Sequence, residues 1–112
     1  RELLQSVSGP ATAIAMTNSV SGRVRTADDR LLFEGQRRGI CRRATFNASR
    51  DQVTLFSRLI DQLGLSIKLI GVGGASTATD VKNYVDAGAE CVHLATAAML
   101  DPSVAIKIKS AW

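Results

Sequence analysis

Two short apolar runs, IKLIGV at 67–72 and ECVHLA at 90–95, are joined by a glycine-rich turn and a segment of helical character. Each run is too short for a helix, nearly free of charge and followed by small residues. Two strands joined through a helix lie parallel in one sheet, with a right-handed crossover. A third run, ATAIAMTNSV at 11–20, stays apolar through Met16 and turns polar at Thr17, Asn18 and Ser19. It reads as a buried strand whose carboxyl end delivers polar side chains. Ser49 has capping-box spacing to Gln52, and Val53, Phe56, Leu59, Ile60 and Leu63 follow at helical steps until Gly64. A second helix is expected from about Thr79 to Ala87, ended by Gly88, and SVAIKIKSAW reads as a final amphipathic helix. The order is strand, long loop, helix, strand, helix, strand, helix, which is the α/β class with a parallel sheet.

The long loop runs to Gly39 without helical period, punctuated by Gly22, Asp28–Asp29 and Gly35, and leaves room for a hairpin. Loops of this length inside compact folds are more often functional than incidental. Residues 23–50 carry eight arginines against Asp28, Asp29 and Glu34, an excess that attracts phosphate. With Phe33 and Phe46 its only aromatics, the stretch reads as a solvated or ligand-facing loop, and no nucleic-acid partner is expected. The 112 residues suit a single domain, 1–112, and no apolar run reaches the roughly 18–20 residues of a membrane span. A cytoplasmic setting is expected. Cys41, Cys91 and His93 are the whole stock of cysteine and histidine, so neither a disulfide framework nor a Cys/His metal site is expected. Cys91 reads as a small buried hydrophobe and His93 as a core histidine.

In a parallel sheet, ligands gather at the carboxyl ends of the strands. Thr17-Asn18-Ser19, Gly73-Gly74 and Ala95-Thr96-Ala97 all fall there. Gly73 and Gly74 permit either a tight bend or a close backbone approach to an anion, with the N-terminus of the next helix adding its donors. Thr96 offers a hydroxyl at the next strand end. Paired turns after two consecutive βα units form the usual phosphate site of (β/α)8 barrels, which favours the cradle. Asn18 is either a turn former or a partner for a planar amide. Neither a Ser/His/Asp set nor a pair of acid/base carboxylates stands out, so any chemistry would come from a bound cofactor.

The stretch LIGVGGASTATDVKNYVDAGAECVHLATAAMLDPSV resembles the C-terminal part of the FMN-dependent dihydroorotate dehydrogenase family. AMTNSVSG resembles that family's Asn-Ser segment, close to its form in dihydropyrimidine dehydrogenases, and RRGIC at 37–41 resembles the intervening loop. The resemblance implies the C-terminal part of a (β/α)8 TIM barrel. It also implies an oxidoreductase of pyrimidine metabolism that oxidises dihydroorotate to orotate with FMN. On that footing Gly73, Gly74, Ala95 and Thr96 would hold the FMN phosphate, Gly39 and Ile40 would lie near the flavin, and Asn18 and Ser19 would bind the pyrimidine. The family's flavin-contacting lysine and its catalytic base lie upstream of the matched region, so no catalytic residue is expected here; Cys41 does not match that base. Arg42 stands where the family usually has a glycine. The chain has room for three or four βα units, so a fragment is expected, completed by the rest of a barrel or by self-association. The alternative is a truncated, non-catalytic phosphate-binding half-barrel or assembly module.

Overall fold

The computed structural model describes every residue except Asn18. Its elements are α1 (Glu2–Val7), β1 (Ala13–Ala15), β2 (Val20–Gly22), β3 (Arg38–Ile40), α2 (Phe46–Leu63), β4 (Lys68–Val72), α3 (Ala78–Asp86), β5 (Cys91–His93), α4 (Thr96–Leu100) and α5 (Val104–Ser110). Short 3-10 turns fall at Phe33–Gly35 and Arg42–Thr45. β1, β4 and β5 form a parallel sheet in that order. β2 and β3 pair antiparallel, with Ser21 opposite Gly39, so the long loop is a hairpin; an Arg25–Leu31 bridge narrows its outer part.

Residues paired across a ladder point to the same side, and successive residues alternate. Ile14 beside Leu69, and Gly71 beside Val92, therefore share the face that α2 and α3 cover. Leu69 is buried there with Val53 and Ile60 of α2 and Tyr84 of α3. Each large apolar side chain so buried contributes about 1.5–3 kcal/mol. Gly71 is glycine because the Tyr84 ring lies on it: a Cβ would stand 2.6 Å from the ring. α1, which the sequence reading does not anticipate, adds Leu4 to the same core.

The opposite face carries Ala15, Ile70, Val72, Cys91 and His93, and Cys91 and His93 are exposed. The expectations of a buried Cys91 and a core His93 are thus corrected. An apolar run with little charge suits a strand covered on both faces, but the chain's own helices cover one side of it. The molecule measures 48 × 37 × 20 Å with a radius of gyration of 16.0 Å. A compact domain of this length has a radius near 13 Å. The shape is a slab, one helical layer on one sheet.

α2 starts at Phe46, three residues before the expected Ser49. Ser49 is buried, and its hydroxyl donates to the Val72 carbonyl of β4 instead of capping the helix. Thr45 holds the N-cap position with its own hydroxyl turned back to the Arg42 carbonyl, 2.9 Å away. The other end is as expected: Gly64 takes φ 61° and the Leu65 N–H reaches the Ile60 carbonyl at 3.1 Å, closing the last turn.

Candidate functional site

The carboxyl ends of β4 and β5 open into a cavity of about 430 Å³. Its walls come from the turn Val72–Ser76, the turn Ala95–Ala97, and the Cys41–Arg43 segment leaving β3, with Thr45, His93 and Leu100 completing the lining. Gly73, Gly74, Ala95 and Thr96 are therefore brought together. Gly39 and Ile40 lie just before the Cys41 wall, paired with Ser21 and Val20. Ser19 is exposed, its hydroxyl 3.2 Å from where a Cβ on Gly39 would stand. The amide recognition expected of Asn18 falls outside the described residues.

The glycine pair answers first to packing. Gly73 and Gly74 take φ of 126° and 70°, a region that side-chain-bearing residues rarely enter. A Cβ on Gly74 would stand 2.7 Å from the Arg42 carbonyl oxygen and 3.0 Å from Arg43 Cα. The turn is also tied from beneath. The Val72 carbonyl accepts from Ser49, and the Gly73 carbonyl accepts from the Tyr84 hydroxyl at 2.7 Å. Burial pushes the Tyr84 phenol up, with Asp80 adding to the shift, so it remains a protonated donor.

At the N-terminus of α3, Thr77 and Asp80 form a reciprocal capping box that occupies the Thr77 and Asp80 N–H groups and leaves those of Ala78 and Thr79 uncapped. The Asp80 carboxylate accepts from Ser76 N at 3.0 Å, Thr77 N at 3.1 Å and the Ser76 hydroxyl at 3.3 Å, and it pairs with Arg43. Burial alone would raise the Asp80 pKa; the hydrogen bonds from Arg43, Ser76 and Thr77 outweigh it and hold the group below its ordinary value. The Arg43 guanidinium lies 4.4 Å over the Phe46 ring, and Phe46 meets Tyr84 edge-on at 5.3 Å. α4 differs, since Ala95 at its N-cap provides no side-chain hydrogen bond.

Arg42 takes φ 65°, the backbone conformation a glycine would favour, so it keeps the corner's geometry; the residue lines the cavity and carries a guanidinium that glycine lacks. Among the described residues that guanidinium has neither an ion-pair partner nor a hydrogen bond. Sequence reasoning missed Arg43, Thr45, Asp80 and Tyr84 and misassigned Ser49. The Thr77–Asp80 spacing was a visible signal for the cap. Nothing local marks Tyr84, whose role depends on a turn eleven residues upstream.

The family model for dihydroorotate dehydrogenase matches residues 48–111. The catalytic subunit of a dihydroorotate dehydrogenase B (NAD(+)) from Geotalea uraniireducens is 44% identical over 50 residues, 43% of this chain and 16% of that protein. The same subunit from a Geobacter species is 42% identical over 53 residues, 46% of this chain and 17% of the relative. Two crystal structures of the dihydroorotate dehydrogenase of Eimeria tenella, one with ferulenol and one ligand-free, superpose with a TM-score of 0.74 at 20% identity. They cover 97% of this chain, which spans 27% and 29% of theirs. The alignments to the two curated relatives thus take in about a sixth of each, and the sheet with its helices is a section of a (β/α)8 barrel.

Proposed function

Because this chain belongs to the dihydroorotate dehydrogenase family, we propose that it is the part of an FMN-dependent oxidoreductase that holds the FMN phosphate. The whole enzyme would oxidise dihydroorotate to orotate. The observation that carries the reading is the cavity that the Gly73–Gly74 and Ala95–Thr96 turns line together with Arg42. These residues fit a phosphate monoester: backbone N–H groups, a hydroxyl and a cation converge, while Val72 and Leu100 supply apolar wall for a ring system. FMN, when bound, supplies the redox chemistry.

On this proposal the chain's own residues take the following roles. Gly73, Gly74, Ala95 and Thr96 fix the phosphate, and Arg42 neutralises it. Gly39 and Ile40, which lead into the Cys41 wall, would lie near the flavin when it is bound. Asn18 and Ser19 serve the pyrimidine. No residue here is assigned a catalytic role. Binding at this site positions and excludes water; proton removal from the substrate belongs to other segments of the enzyme.

The test is a titration of the purified chain with FMN, followed by flavin absorbance and fluorescence. Saturable binding that inorganic phosphate competes away supports the reading. A chain that folds cooperatively yet leaves the flavin spectrum unchanged returns it to the alternative of a non-catalytic module.

A further inference from the structure

The two carbonyls that precede the anion-binding edge of the turn are both held by side chains. Ser49 of α2 donates to the Val72 carbonyl, and Tyr84 of α3 donates to the Gly73 carbonyl at 2.7 Å. In a trans peptide the carbonyl of one residue and the N–H of the next point in opposite directions across a rigid plane. Holding the Val72 and Gly73 carbonyls toward the helices therefore turns the N–H groups of Gly73 and Gly74 away from them, toward the side where the strand ends open. Glycine makes this restraint necessary. With φ of 126° and 70°, and no side chain to bias it, a Gly-Gly peptide has more conformers open to it than any other pair.

From this geometry we infer that Tyr84, seconded by Ser49, is a positioning residue for the anion-binding turn: its hydroxyl sets the direction in which Gly74 donates. The inference rests on the phosphate-site reading above and deepens it. Tyr84 itself is wholly buried and does not line the cavity. Its ring has separate duties, packing on Gly71 and edge-on to Phe46. Tyr84→Phe removes the hydroxyl and keeps those contacts. It frees the Gly73 carbonyl to rotate and takes the Gly74 N–H with it.

The experiment compares FMN with riboflavin, which has the same ring system and no phosphate. Both are titrated into the full chain and into its Y84F form. The wild-type chain is expected to prefer FMN. Y84F is expected to lose about tenfold in FMN affinity, one well-directed hydrogen bond to a charged group, with riboflavin binding unchanged. A Y84F chain that keeps the full preference for FMN overturns the positioning role and leaves the phosphate-site reading intact. A wild-type chain that binds both flavins equally overturns both. Should Y84F bind neither, the Gly74 amide resonance decides. Addition of inorganic phosphate should shift it in the wild-type chain and not in Y84F, whereas an equal shift in the two would refute the inference.

Discussion

The two strand-to-helix turns that meet in the cavity solve the same problem in opposite ways. After β4 the chain passes through Gly73-Gly74 and closes the next helix with its own residues, Thr77 and Asp80. After β5 it passes through Ala95 and leaves the first turn of α4 without a side-chain cap. The first helix start is capped by its own side chains, with Asp80 buried; the second is left without a side-chain cap. A glycine-rich turn before a helix is therefore no proof that the helix N-terminus meets a ligand. In this chain the capping box takes up the Thr77 and Asp80 N–H groups at the start of α3, while no side chain caps the start of α4.

That contrast is open to breaking, beginning with the largest expected effect. Gly74→Val puts a branched side chain at φ 70° against the Arg42 carbonyl. Backbone strain and overpacking together should cost about 3 kcal/mol or more, read as a fall in the urea midpoint. A variant as stable as wild type would show that the turn is not packed as described. Asp80→Ala should cost about 1 kcal/mol by removing the cap that accepts from the Ser76 and Thr77 N–H groups. The mostly exposed Arg43 guanidinium adds little to that figure.

Acid should attack the same turn. The folded-state pKa of Asp80 lies below its ordinary value of 3.8, so the folded chain binds fewer protons there than the unfolded one. Its stabilisation is complete above that value and is lost as the pH falls through the folded pKa. A stability profile between pH 5 and 2 should decline in the wild-type chain and flatten in Asp80→Asn; parallel profiles would remove Asp80 from the account. Asp101, held down to about 2 chiefly by Lys107 and then Ser103, reports separately on the approach to α5. The smallest effect on stability belongs to the β5 turn. Thr96→Val should leave the unfolding midpoint within about 0.5 kcal/mol while lowering FMN affinity about tenfold. Unchanged affinity would mean that the open turn contributes no hydroxyl.

The legible parts of the sequence were those whose signals are local. Gly64 ended α2 because a left-handed C-terminus favours glycine, and the β4–α3–β5 alternation gave the parallel sheet. The start of α2 misled because a capping-box spacing says nothing about where a serine hydroxyl is needed, and Ser49 is needed at Val72. Cys91 and His93 misled for a related reason. An apolar run records what a strand faces in the complete barrel, while exposure records what this chain covers by itself. Of the site, the glycine pair and Thr96 were readable from position. Tyr84 and Asp80 were not, because each acts on backbone that the fold brings to it.

Arg42 leaves a trace that selection experiments would expose. Holding a side-chain-bearing residue at φ 65° costs about 1 kcal/mol that glycine would not incur. Variants of this chain screened only for heat resistance should drift at that position toward glycine or asparagine. Variants screened for retention of a phosphorylated ligand should keep the arginine. The residue that wins under each regime would report which of the two pressures shaped the corner.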